Sequence, residues 1–259
     1  MLSHLHRRKV IDPSVELDMM SSTRKILVFH GYLQNAELTK EWFAPIQEAI
    51  RPDNIELVFV DGTQTLGEAD IPKGLEPPPE LPLALPPHVP KAWWKHDQNA
   101  ARSGTYGLED SLLKLRDILK NDRFEGVVGF SQGSAFAVLL AALLERPETF
   151  PPFVAEGQTP HPPFAFCVAF SGSVPDSPLA NAILSSTYHT PTLHIQGTTD
   201  NITPEEANQP LREISANKKA LHHPGGHILP VAPAWLELYR QYFLDPTADL
   251  KVPEGAEAV

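Results

Sequence analysis

Among the residues that could do chemistry, Ser131 stands out, in the pentapeptide Gly129-Phe130-Ser131-Gln132-Gly133. A serine hydroxyl is a weak nucleophile until a base takes its proton, so the spacing around it must serve that purpose. An apolar run ends at Phe130 and a second, helix-length apolar run follows Gly133. A strand, a tight turn and a buried helix are what a nucleophile elbow requires, with glycines where side chains would strike the flanking elements. The competing reading is a serine that merely caps a helix N-terminus.

A nucleophile of this kind needs a base, and the base needs an acid, in the chain order serine, acid, histidine. There are eleven histidines, so position must choose between them. His227, in Pro224-Gly225-Gly226-His227, lies between a strand candidate at 220–223 and a helix candidate at 234–243. His222 and His223 sit inside the strand candidate and should face the core or a neighbouring helix. Asp200 follows the strand candidate at 192–196 and would accept the imidazole N–H, fixing the tautomer. Its alternative role is a turn or helix cap, as Asp often plays, and Asp176 is held in reserve as the acid.

Acyl transfer also needs two N–H donors for the tetrahedral oxyanion. The backbone N–H of Gln132 is one candidate. The other comes from the loop after the first strand, where Tyr32 N–H is preferred and Leu33 is the fallback. His30, in the same loop, reads as a brace for it.

These residues must be positioned by regular elements. Residues 1–24 show no sustained period and read as a flexible lead-in. Strand patterns at 25–30, 55–60, 126–130, 166–170, 192–196 and 220–223 alternate with helix patterns at 37–50, 107–122, 134–145, 204–216 and 234–243. Such alternation implies an α/β domain with a doubly wound, mostly parallel sheet of about six strands and right-handed crossovers. A chain of 259 residues suits one such domain, over 25–244. The polar tail, 245–259, is expected to fray.

Two proline-rich stretches, 72–90 and 151–163, exclude helix interiors and central strands and read as lid-like loops beside the site. Trp93 and Trp94 follow the first of them. They either line an acyl-binding cleft together with Leu33 or simply seal the loop onto the domain.

The formal net charge of −11 provides no electrostatic footprint for nucleic acid or an anionic membrane surface. No apolar run reaches the length of a membrane span. Cys167 is the one cysteine, which excludes an intrachain disulfide and reads as a small core residue. A cytoplasmic protein is therefore expected. The histidines lack metal-binding spacing, so neither metal nor cofactor is implied. A homodimer stays open.

Four motifs together are similar to one family. They are His30-Gly31-Tyr32-Leu33-Gln34-Asn35, Gly129-Phe130-Ser131-Gln132-Gly133, Phe170-Ser171-Gly172 and Pro224-Gly225-Gly226-His227. In order and spacing they resemble the fungal family of serine hydrolases, which is related to the ovarian-cancer-associated serine hydrolases of animals. The resemblance covers about residues 25–244. It implies a small α/β-hydrolase fold without a large cap domain, with Ser131, Asp200 and His227 as catalytic triad. It also implies hydrolysis of carboxylic esters or thioesters of medium to long acyl chains, with polyketide-releasing thioesterases among the fungal members. A peptidase or lipase, and a non-catalytic binding protein on the same fold, are the competing readings. The proline-rich stretches depart from the family pattern, so substrate range is the part least safely transferred.

Overall fold

The computed structural model describes residues 23–71, 89–96 and 104–259. The strands are β1 (Arg24–Phe29), β2 (Ile55–Val60), β3 (Gly126–Phe130), β4 (Phe166–Phe170), β5 (Thr192–Gly197), β6 (Lys218–His223) and β7 (Glu257–Ala258). The helices are α1 (Ala36–Trp42), α2 (Ala44–Ile50), α3 (Leu108–Asn121), α4 (Gln132–Glu145), α5 (Pro178–Ile183), α6 (Glu205–Glu213) and α7 (Pro233–Leu244). Two short antiparallel ribbons, Gln64–Thr65 with Lys91–Ala92 and Lys95–His96 with Thr105–Tyr106, decorate one end.

One sheet runs β7-β6-β5-β4-β3-β1-β2, parallel except for β7. Every residue of β3, β4 and β5 is buried, because helices cover both faces. This accounts for apolar runs without alternation. One face packs α3, α4, α5 and α6 over Leu27, Phe29, Val127, Cys167 and Ala169. The other packs α2 and α7 over Ile26, Val28, Val128, Phe130 and Ile195. The chain order reverses at β1, which lies between β2 and β3. Loops leaving β1 and β3 diverge there to opposite faces, opening a crevice at the carboxyl edge of the sheet. Ser131 stands at that crevice.

Five expectations need correction or limits. The helix expected over 37–50 is two helices, broken at Phe43. Pro45 lacks an N–H and its ring would strike the carbonyl of Glu41 in a continuous helix. The tail is not frayed at its end. Glu257–Ala258 pairs with Leu221 and His222, and Val259 N–H donates to Ala220 O at 3.0 Å. The outer edge of β6 supplies the partner groups, which a two-residue polar strand does not advertise.

The proline-rich loop at 151–163 lies away from the site. It enters β4 from its amino end, with Ala165 N–H donating to Glu125 O just before β3. Arg116 and Arg123 donate to Pro152 O and Pro160 O. His161 Nε2 accepts the Phe124 N–H at 3.0 Å. Connections from helix to strand arrive at the edge opposite the crevice, so this loop forms no lid. Residues 72–88 and the lead-in 1–22 fall outside the described residues, so the other lid expectation lies there. β1 itself begins at Arg24. Among the described residues no helix is long and apolar enough to cross a membrane.

Candidate active site

Ser131 joins β3 to α4 with φ 55° and ψ −121°, a backbone region that costs a non-glycine residue on the order of 1–3 kcal/mol. Its N–H donates to Phe170 O at 2.8 Å, which pins the turn to the end of β4. A Cβ on Gly129 would lie 2.0 Å from Gly133 O, and one on Gly133 would lie 2.4 Å from Phe29 O. α4 therefore rests directly on the strands, and both glycines are dictated by that approach. The helix that follows is buried from Gln132 to Leu144. Its free N-terminal N–H groups carry partial positive charge toward the crevice.

The loop after β1 comes against the elbow. The space a side chain on Gly31 would fill is 3.1 Å from Ser131 Cβ. Gly31 N–H donates to Gln34 Oε1 at 2.8 Å, and Gln34 N–H returns to Gly31 O. His30 Nε2 accepts the Gly62 N–H at 2.9 Å, so its proton is on Nδ1, 2.8 Å from Gly31 O. Burial pushes the His30 pKa down to about 4, so this ring is a neutral brace, as expected. Among the described residues, the N–H groups of Tyr32, Leu33 and Gln132 donate to no protein acceptor. These are the donors the sequence nominated for an oxyanion.

The side chain of Gln132 has a role that the motif did not reveal. Its Oε1 accepts Trp93 N–H at 2.8 Å and its Nε2 donates to Trp94 O at 2.9 Å. Trp93 Nε1 donates to His30 O at 2.9 Å, and Lys91 N–H donates to Gln34 O at 2.7 Å. One short strap thus ties the elbow to the loop after β1. The same contacts correct the cleft reading of the tryptophans. Trp93 is 0% exposed, stacked on Phe136 at 4.3 Å and on His30 at 5.0 Å, and Trp94 is 2% exposed. Both indoles seal the strap onto the core and present no face to a substrate. Half-buried Leu33, held at φ 65°, stays at the crevice.

Asp200 and His227 meet between the loops after β5 and β6. His227 Nδ1 is 2.7 Å from Asp200 Oδ2, with the Asp200 side chain fully buried. Asp200 Oδ1 accepts the N–H groups of Ile202 and Thr203 at 3.0 and 2.8 Å. The turn contacts therefore fall on Oδ1 and the imidazole contact on Oδ2, one on each oxygen. Thr198 N–H to His223 O and Thr199 N–H to Gly225 O, at 2.8 and 3.1 Å, knit the two loops together. Tyr239 OH anchors the second loop at Pro230 O. The His227 ring lies 4.9 Å from that of Phe130, the residue preceding Ser131.

The other candidates fall elsewhere. His222 Nε2 pairs with Glu205 Oε2 on α6 at 3.1 Å, and buried His223 packs edge-on to Trp235. Asp176 is exposed. Gln196 went unnoticed in the sequence. Its Nε2 lies 3.4 Å from Asp200 Oδ2 and donates to Thr203 O. A polar residue near the end of a short buried strand, four positions before Asp200, was the available signal.

Burial also lowers the pKa of His194, to about 3, with Arg212 and Lys218 adding to the effect. Both of its ring nitrogens lack a protein partner among the described residues. An unfolded histidine gains its proton near pH 6.5, whereas His30 and His194 resist protonation until about pH 4 and 3. Between those limits the unfolded chain binds more protons, so stability is full above about pH 6.5 and falls as pH drops. Thermal melting from pH 7.5 to 4.5 should show a steadily falling midpoint. His194→Leu should flatten part of that fall, and an unchanged slope would remove His194 from the account.

Strained serine elbow, paired loops and reversal of strand order together define a serine hydrolase of α/β-hydrolase fold. Residues 20–238 match the family described as Serine hydrolase (FSH1), and the chain belongs to that family. It is 31% identical to esterase AAEL000016 of Aedes aegypti over 89% of this chain and 78% of that protein. It is 29% identical to esterase OVCA2 of Mus musculus over 88% and 98% of the two chains. Among solved structures, Zea mays acyl-protein thioesterase 2 shares the fold, with a TM-score of 0.57 at 17% identity, over 86% of this chain and 94% of that one. The protein is thus an esterase-type enzyme.

Proposed function

We propose that Ser131, His227 and Asp200 form a catalytic triad that hydrolyses carboxylic esters and thioesters of medium to long acyl chains. The observation that carries this reading is the 2.7 Å contact between His227 Nδ1 and the buried Asp200 carboxylate. In this reading Nδ1 carries the proton and donates a hydrogen bond to that carboxylate, which leaves Nε2 as the base. His227 Nε2 takes the Ser131 proton as Oγ bonds to the acyl carbon. The carbonyl electrons pass to oxygen, which the N–H groups of Gln132 and Tyr32 receive. When the carbonyl re-forms, the bond to the alkoxide or thiolate breaks, and that group leaves with the proton from His227. Water, deprotonated by the same imidazole, then attacks the acyl-enzyme, and the acid is released as Ser131 recovers its proton. Asp200 stabilises imidazolium throughout without being protonated itself.

The acyl preference is supported by apolar residues beside the acid and base. Ile202 lies two positions after Asp200 and Ile228 directly follows His227, and both are exposed. The decisive experiment is labelling with a fluorophosphonate, which phosphonylates an activated serine, followed by peptide mapping. Modification of Ser131 is expected; an unlabelled wild-type protein would end the triad reading.

A further inference from the structure

The helical spacing of Leu38, Trp42, Ile46 and Ile50 marks Trp42 as a core position, and the fold does not treat it as one. Trp42 is 43% exposed, the most exposed of the four tryptophans. Trp93, Trp94 and Trp235 are all buried. The break at Phe43 explains the exception. It ends α1 beside the crevice, while Ile46 and Ile50 go into the core from α2. The next residue, Phe43, takes the buried place and packs edge-on to Phe59 and Phe170.

Trp42 rests edge-to-face on Phe130, with ring centroids 6.1 Å apart and planes at 82°. Phe130 directly precedes Ser131, and its ring also lies 4.9 Å from that of His227. Phe130 itself is buried, so Trp42 and His227 flank the same covered ring. A large apolar surface thus stands one ring away from the proposed base. Ile228, 53% exposed, adds a second apolar side chain to the His227 loop.

Exposed indole is unfavourable in water, and a single exposed aromatic means little on its own. Here its location gives it meaning. The acyl carbon must sit at Ser131 Oγ with its oxygen toward Gln132 and Tyr32 N–H. Its chain must then leave the polar centre along some apolar surface. The tandem tryptophans do not provide one, since both are sealed into the core.

We propose that Trp42 is the specificity-determining wall for the acyl chain, which runs from Ser131 past Phe130 and along the indole, with Ile228 flanking it. The assignment rests on the triad reading and names the substrate part that this site selects. Burying a methylene favours binding by roughly fourfold, so a wall that meets several methylenes discriminates by chain length.

The test compares kcat/KM for p-nitrophenyl acetate, butyrate, octanoate and dodecanoate in the wild type, Trp42→Ala and Trp42→Phe. The octanoate-to-acetate ratio should fall about tenfold or more in Trp42→Ala and by less than about threefold in Trp42→Phe. A ratio unchanged in Trp42→Ala would overturn the assignment. A second measurement does not depend on how the variants fold. Because the other tryptophans are buried, wild-type fluorescence should shift to the blue when Ser131 carries an octylphosphonyl group and not when it carries a methylphosphonyl group. Equal spectra for the two adducts would also overturn it. If neither reagent modifies Ser131, the triad reading fails. Modification with an unchanged ratio and equal spectra removes the Trp42 assignment alone.

Discussion

Ser131→Ala is expected to lower ester turnover by about 10⁵- to 10⁶-fold with little change in melting temperature. The reason lies in how little else the substitution removes. Alanine keeps the Cβ beside Gly31, and it keeps the N–H that donates to Phe170 O. It also keeps the strained φ of 55°, so the folded state neither gains nor loses that conformational cost. What disappears is the oxygen proposed to form the acyl-enzyme, and with it the proposed use of His227 and Asp200. Residual hydrolysis about 10³- to 10⁴-fold above water should persist through the N–H donors and binding. Wild-type and variant turnover on one activated ester, with melting curves on the same samples, decide the matter. A variant retaining a hundredth of the activity would mean that Ser131 is not the nucleophile.

Gly129→Ala should produce the opposite pattern, in which the fold is lost and chemistry with it. Its Cβ would stand 2.0 Å from Gly133 O, 2.3 Å from Gly133 C and 2.5 Å from Ser134 N. All three are backbone atoms of the elbow and of α4, so no side chain can swing aside. Relief would require lifting the helix off β3, yet Gly133 leaves it no slack over Phe29 and His30 O. Ordinary overpacking costs roughly 1–3 kcal/mol, and a clash confined to backbone exceeds that range. Set against a total stability on the order of 5–15 kcal/mol, it should leave little soluble folded protein. Expression yield and urea unfolding measure the effect. A variant that melts within a few degrees of the wild type would show that α4 has room to move.

These two glycines mark how far local pattern could be read. The elbow was legible because its requirements are short-range: a strand, a turn and a helix within twenty residues. The meeting of Asp200 and His227 was legible because each follows a strand and the parallel sheet puts such loops at one edge. Gln132 was chosen for its N–H, while its side chain proved to hold the strap at Trp93 and Trp94. That bond joins residues nearly forty positions apart and leaves no periodic trace. The tandem tryptophans went the other way for the same reason. Their destination depended on Phe136 and His30, which only the folded chain brings beneath them.

The proline loop at 151–163 shows how a local reading can be right and still misplace function. Proline density correctly left no long helix or central strand, only a 3-10 turn at Pro151–Phe153, but nothing in composition says which edge of a sheet a loop occupies. That follows from whether it leaves a strand or enters one. The tail likewise found a partner only at the outer edge of β6. By itself the sequence determined the alternation of elements and the elbow, and it nominated a serine, an acid and a histidine in chain order, since each rests on neighbouring residues. The tertiary structure alone decided which side chains face the crevice. Exposure of Trp42 and burial of Trp93 are consequences of packing between elements distant along the chain, and no local spacing encodes them.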